Sequence, residues 1–311
     1  MSRHRLAAGN IWIKYSRTKG FKETWGKIMR TAVSQRAICW LMRAMTYFIV
    51  FIIASIILKI LWNGLPAVSW EFLTTMPRSS GAEGGILPAI VGTLYLVVGT
   101  IAVALPLGMA TAIYLSEYAK QGRFTRTMRL AIVTLAGVPS IVFGLFGLGL
   151  FVIFLGFGAS IISGCLTLAC MILPTIIVSS EEALRAVPRS LREGSLALGA
   201  TKWQTIYKNV LPYSFSGMLT GSILGSGRAA GETAPILLTV AAFYLPKLPR
   251  SIFDQVMALP YHLYILATQH PEAAKVRPMQ YATALVLLAL VLGVNLAAIL
   301  LRIRIRKRRR W

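Results

Sequence analysis

Long apolar runs separated by short polar and basic stretches make up most of this chain. Six of them are long enough to cross the roughly 30 Å of a bilayer's hydrocarbon layer. They cover Ala44–Trp62, Ile86–Ser116, Leu130–Phe154, Ile161–Ser180, Tyr213–Phe243 and Tyr281–Leu301. Pro106 and Pro174 fall inside the second and fourth runs, where tilt or a kink can be absorbed. The pattern predicts an all-α integral membrane protein with six transmembrane helices. The first run begins late and is too long for the apolar core of a cleavable signal peptide, so it is expected to stay as a span.

Composition agrees with this pattern. Apolar residues make up 56% of the chain, charged residues only 14%, and mean hydropathy is +0.66. A soluble chain needs roughly 25% charged residues to cover its surface, so lipid must cover much of this one. The net charge of +23 sits in blocks between the apolar runs and forms no even basic groove, so no nucleic acid partner is expected.

These blocks predict orientation. The leader to Arg43 carries ten basic residues against one acid, Glu117–Arg129 four against one, Glu181–Pro212 five against three, and the tail beyond Leu301 seven against none. The gaps Asn63–Gly85 and Gly156–Ser160 are poor in basic residues. Basic loops stay in the cytoplasm, so both ends are expected there. The mixed gap Tyr244–Gln280 goes outside, because only that placement keeps the tail inside. Three parts follow: a basic leader (1–43), expected to meet anionic membrane lipid, a six-span domain (44–301), and a basic tail (302–311).

The loop Glu181–Pro212 is too patterned for a plain connector. Ser190 with Glu193 three positions on reads as a capping box. Leu191, Gly194, Ser195 and Leu198 then share one helical side. Gly199 suits a helix end, Trp203, Ile206 and Tyr207 begin a second amphipathic stretch, and Pro212 suits the start of the next helix. A helix–glycine–helix segment of this kind either rests on lipid or docks on a partner.

Arg228 and Glu232 lie inside the fifth run. An ionised side chain there costs about 2.5–3.5 kcal/mol on insertion scales. Four residues apart, the two stack on one face and can pair. The pair is either a structural salt bridge or an anion site, in which Arg228 offers its fork of donors. Ser222, Ser226 and Thr233 either line the same path or make bonds within the helix. Glycines recur in the third and fifth runs, and Gly217, Gly221 and Gly225 repeat every four residues. Such a seam lets helices approach closely, inside one subunit or between two.

Other chemistry is not encoded. No phosphate-cradling G-x-x-x-x-G-K-[ST] segment occurs, and Gly26–Lys27 lacks its context. His4, His262 and His270 are scattered, without a nucleophile–base pair. Cys39, Cys165 and Cys170 form no metal or disulfide pattern. No enzymatic activity is expected of the chain, and an active transporter built this way must borrow its energy.

The segment Arg192–Thr205 (REGSLALGATKWQT), with Leu211–Pro212 seven residues on, resembles the EAA loop of ABC-importer permeases. Gly194 and Ser195 replace the alanines of that motif, and Asn209 stands near a usually aliphatic position. The segment is similar to the form found in phosphate permeases. Leu135–Phe151, Leu173–Pro188, Gly225–Thr239 and Gly84–Leu94 resemble the PstA type of that family, and Ala234–Pro235–Ile236 favours PstA over PstC. The likeness runs from Gly84 to the last span and leaves out the leader.

The resemblance implies a type I ABC importer permease fold with a cytoplasmic coupling helix. It implies coupling to the ATPase through Ser190, Glu193, Gly199, Ala200, Thr201 and Trp203, and a substrate pathway at Arg228, Glu232, Thr233 and Ser226. The implied partners are a PstC-type sister permease, a PstB-type ATPase dimer that carries ATP and Mg, and a PstS-type phosphate-binding protein. The chain itself would bind no cofactor. The gap Tyr244–Gln280 would either receive the binding protein or cap the bundle. The alternatives are a permease for another oxyanion (phosphonate, sulfate, molybdate) and a non-transport scaffold or lipid-handling protein.

Overall fold

A chain in hydrocarbon must close its own backbone hydrogen bonds, and a helix does so without leaving an edge. The computed structural model describes residues 35, 38–78, 83–271 and 274–308, and it is helical almost throughout. The leader up to residue 34 lies outside the described residues, and with it the expected lipid contact.

The chain divides into two units, Met1–Lys59 and Ile60–Trp311. The first holds most of α1 (Ile38–Ala67), whose side chains, Phe48, Phe51 and Leu58 among them, are exposed. The second opens with a short helix α2 (Trp70–Thr74), where Ser69 Oγ accepts from the Phe72 amide at 3.0 Å. A two-stranded antiparallel hairpin, β1 (Pro77–Arg78) with β2 (Glu83–Gly84), follows. Then come α3 (Leu87–Ile113), α4 (Arg123–Ala136), α5 (Ser140–Gly147), α6 (Ile161–Arg185), α7 (Arg189–Ala197), α8 (Lys202–Thr205), α9 (Leu211–Gly231), α10 (Ala234–Thr239), α11 (Leu259–Thr268) and α12 (Arg277–Arg308).

Among the described residues four helices, α1, α3, α6 and α12, are long and apolar enough to cross a membrane unbroken. The third and fifth predicted spans are not straight. The third divides into α4 and a helical stretch Ser140–Phe154 that meet at 103°. Pro139 sets the break: the residue before a proline is pushed out of the helical region, and Pro139 itself is extended, at ψ 139°. The fifth run stops at Gly231 and resumes as the six residues of α10. Pro235 has no N–H to give the Gly231 carbonyl one turn back, and its ring clashes there. Beyond Thr239 the chain leaves the helix altogether, and Ala241 bridges to Val256. Counting the bent pair as one span gives up to five among the described residues, a number compatible with six spans when the broken α9–α10 is added.

α6 is the central post. It packs against α3 on one side and α9 on the other, around buried Leu96, Ala104, Leu168, Ile172 and Ile176. The glycine seam of α9 faces it within the same chain. A Cβ on Gly217 would lie 2.7 Å from the Ala183 Cβ, and one on Gly221 2.6 Å from the Ser179 Cβ. At Gly225 the nearest atom would be 3.5 Å away, on Ile176. The first amides of α6, which have no partner within the helix, are taken by the gap that follows α10. Ser160 N donates to the Thr239 carbonyl (3.0 Å), Ile161 N to that of Asp254 (2.9 Å) and Ile162 N to that of Ile252 (3.0 Å). The Asp254 carboxylate, which lies below its ordinary pKa because the Arg250 and Ser251 amides donate to it, holds this turn. The segment Tyr244–Gln280 is thus a structured cap at the end of the bundle opposite α7 and α8.

The seam predicts a graded steric response. Gly221→Ala should lower stability by about 1–3 kcal/mol, as overpacking does, while Gly225→Ala should change it little. Thermal unfolding of the purified complex in detergent measures both, and equal effects would count against the seam.

Candidate functional site

The loop between α6 and α9 is a helical hairpin. Pro188, at φ −55° and ψ 138°, leads the chain into α7, and no side chain caps its start. The capping box expected at Ser190 is therefore absent, since the rigid proline already sets the entry and α7 begins one residue earlier. A capping box does form at Thr201: its Oγ1 accepts from the Gln204 amide at 3.2 Å, and Gln204 Oε1 accepts from the Thr201 amide at 2.9 Å. Gly199 makes the turn between the arms at φ +82°, a conformation that suits glycine. α8 then runs on through a wide turn, Ile206–Val210, into α9. The Leu211 amide bonds five residues back to the Ile206 carbonyl, just before Pro212, which has no N–H. Pro212 thus stands in the first turn of α9, as its sequence position suggests, and the wide turn joins that turn to α8.

A polar contact joins the two arms. Ser195 Oγ lies 3.0 Å from Thr205 Oγ1, and Asn209 Nδ2 donates to Ser195 Oγ at 2.9 Å. Two of the three departures from the EAA pattern, Ser195 and Asn209, are thus partners. The outer surface is apolar: Leu198 is 90% exposed and Trp203 61%, with Leu191, Leu196 and Tyr207 exposed beside them. The Trp203 and Tyr207 rings stack at 6.1 Å. Ser190, Glu193, Gly199 and Thr201 lie on the same exposed hairpin, and Ala200 is half-buried. An exposed apolar patch of this kind marks an interaction site.

Charged groups that sequence reasoning missed surround the hairpin's base. Arg192 pairs with Glu117 at 2.8 Å. Glu181, on α6, accepts from Arg129 (2.8 Å) and Arg185 (2.7 Å). Only the Glu181–Arg185 pair, at i, i+4 spacing, carried a sequence signal.

At the break between α9 and α10, Arg228 Nε donates to Glu232 Oε1 at 3.1 Å. Glu232 itself is extended, at φ −75° and ψ 134°, and Thr233 stands at the start of α10 without capping it. The Arg228 side chain is 39% exposed and that of Glu232 18%, so the pair reaches the chain's surface. Its bond to Glu232 uses Nε alone, which leaves the terminal edge of the fork directed elsewhere. Ser226 and Ser222 are buried, and their hydroxyls donate to the Ile223 (2.8 Å) and Met218 (3.3 Å) carbonyls. Both hydroxyls thus bond within α9. Close to Arg228, Gly227 lets Asn295 of α12 approach.

The family described as the binding-protein-dependent transport system inner membrane component matches residues 104–310. The chain belongs to this family of permeases. Among its relatives, the probable ABC transporter permease protein YqgI of Bacillus subtilis is 35% identical over 261 residues, 79% of this chain and 87% of the relative. The phosphate transport system permease protein PstA 1 of Mycobacterium tuberculosis is 40% identical over 228 residues, 73% of this chain and 72% of the relative. The fold is also that of a solved chain in a bacterial ABC transporter involved in the import of the acidic polysaccharide alginate. That chain aligns at a TM-score of 0.60 and 14% identity, covering 91% of this chain and 99% of the other.

As a permease of this family, the chain is the multi-pass inner-membrane component of an importer, which works with an ATPase and a substrate-binding protein. The match removes the non-transport scaffold reading. It also gives the hairpin's exposed face a context, because a membrane component needs a surface on which its motor acts.

The Ser195 contact predicts a measurable loss. Ser195→Ala should cost about 0.5–1.5 kcal/mol, the net worth of a typical hydrogen bond. Limited proteolysis of the purified complex should nick the variant's hairpin faster, and an unchanged rate would show that the contact does not hold the arms together.

Proposed function

We propose that this permease is the PstA-type subunit of an ATP-driven importer of inorganic phosphate. The observation that carries the reading is the broken α9–α10 span, which brings Arg228 and Glu232 to the surface where the helix is interrupted. Irregular backbone at membrane depth is tolerated only where protein or a water-filled cavity surrounds it, and discontinuous helices form the substrate sites of many transporters. Arginine matches a phosphate oxyanion with paired donors. Glu232, bonded to the Nε edge, orients that fork and keeps the anion from being held too tightly. Thr233 stands beside them at the break. The relatives named as phosphate permeases support the choice of substrate.

Arg228 is exposed on the single chain, so the pathway is completed by a second subunit, the PstC-type sister permease. A PstS-type protein delivers phosphate to the side of the Tyr244–Gln280 cap. A PstB-type ATPase dimer, which carries the ATP and Mg, seats the hairpin Ser190–Thr205 on the cytoplasmic side, with both ends of the chain on that side. Glu193, Thr201 and Trp203 belong to that contact, while Gly199 and Ala200 shape its turn. When ATP closes the ATPases, the hairpin moves and the bundle opens outward. Hydrolysis reverses the motion and phosphate leaves inward past Arg228. The chain supplies binding and movement and holds no cofactor of its own.

Phosphonate, sulfate or molybdate would suit the same arginine, and competition for labelled uptake separates them. ATP-driven phosphate uptake into vesicles tests the site. Arg228→Gln should lower uptake about tenfold or more, as expected on losing a charge-assisted bond worth about 1.5–3 kcal/mol. Undiminished uptake in a normally assembled complex would remove Arg228 from the pathway.

A further inference from the structure

The hairpin is attached to the bundle at more than its two chain ends. In α7, every side chain is exposed except those of Arg192 and Ser195. Ser195 faces the hairpin's own second arm. Arg192 is therefore the residue by which α7 grips the bundle, and it grips at three points. Its Nη1 donates to the Val187 carbonyl (2.7 Å), and its Nη2 donates both to the Leu184 carbonyl (2.8 Å) and to Glu117 Oε1 (2.8 Å). The first two bonds lie at the end of α6, next to α7 in the chain. The third is 75 residues away.

Glu117 sits in the wide turn Tyr114–Tyr118 that ends α3, where the Ala119 amide bonds five residues back to the Tyr114 carbonyl at 2.8 Å. Its carboxylate is 9% exposed and the Arg192 side chain 21%. A pair this sheltered is screened less by solvent than a surface ion pair. The next residue, Tyr118, carries Lys202 Nζ 4.8 Å above its ring, so the same turn holds the second arm as well. Its other side is fixed to α4. There Arg129 donates to the Leu115 carbonyl (2.9 Å) and to Gln121 Oε1 (3.0 Å), and also to Glu181 of α6. The turn is thus a junction of α3, α4, α6 and both arms of the hairpin.

We propose that Glu117 is a positioning residue of the transport cycle that carries movement of the hairpin directly into α3 through Arg192. Chain connectivity gives the hairpin two routes into the bundle, along α6 and along α9. The Glu117–Arg192 pair supplies a third, into α3, which lies along α6 over much of its length. The inference rests on the reading that the hairpin receives the ATPase's motion. Glu117 lies outside the exposed apolar face of the hairpin, so its role is separable from docking.

The test is a double-mutant cycle on the reconstituted complex of both permeases, ATPase and binding protein. Phosphate moved per ATP hydrolysed is read for wild type, Glu117→Ala, Arg192→Ala and the double variant, after each is checked for co-purifying ATPase. Glu117→Ala should keep the ATPase yet move about fivefold less phosphate per ATP, and the double variant should do no worse than Arg192→Ala alone, as for two residues acting as one unit. Independent, multiplying losses or an unchanged ratio would overturn the proposal. Loss of the ATPase from Glu117→Ala would overturn it too, since the pair would then only support docking. A wild-type complex that moved another oxyanion in place of phosphate would overturn the substrate reading, and the same ratio measured on that anion would still decide the role of Glu117.

Discussion

A backbone amide or carbonyl left unpaired in hydrocarbon costs several kcal/mol, and most of this structure follows from meeting that demand. Where the helices run unbroken, the demand is met internally. Where α6 begins, the carbonyls of Thr239, Ile252 and Asp254 meet it from the far side of the sequence, which obliges the Tyr244–Gln280 segment to fold back over the bundle. Where α8 passes into α9, a wide turn carries the helix past Pro212. At Glu232 and Thr233 the helix stops before Pro235, and a charged pair stands at the gap. A break of that kind is stable only against protein or water, and the proposed pathway lies there.

The straight spans are legible in the sequence because α3, α6 and α12 are long apolar runs, and α3 and α6 continue through Pro106 and Pro174. Hydropathy alone makes the third and fifth look continuous, because it sums over a window and does not register which carbonyl a proline orphans. Pro139 and Pro235 were visible residues, yet their effect depends on the partner one turn back. The hairpin was legible in outline through Gly199, but its capping box was assigned to Ser190 when the rigid Pro188 already did that work and Thr201 held the real one. Ser195 and Asn209 stood out only as departures from a motif. Their mutual bond needs the turn geometry that folding supplies.

Of the candidate site, Arg228 and Glu232 could be found from sequence because their i, i+4 spacing makes a local pair. The pairs Glu117–Arg192 and Arg129–Glu181 could not, since 75 and 52 residues separate the partners and nothing in the spacing links them. The glycine seam had two readings, and the contacts with Ala183 and Ser179 place it inside the subunit. α9 therefore lies against the same post as α3. The hairpin is tied to both helices, to α3 through Glu117–Arg192 and to α9 through the chain, and the broken end of α9 carries Arg228 and Glu232.

The central claim is that the α7–α8 hairpin is the seat of a separate motor. The most direct measurement is a pull-down of the tagged permease from membranes in mild detergent, with Leu198→Asp beside the wild type. Leu198 is almost fully exposed and supports nothing within the chain, so a charge there should leave the permease folded. The wild type should bring down an ATPase and a second permease. The variant should keep the second permease and lose most of the ATPase, because an ionised side chain is costly to bury unpaired in an apolar contact. A variant that retained the ATPase fully, or a wild type that brought down none, would contradict the account.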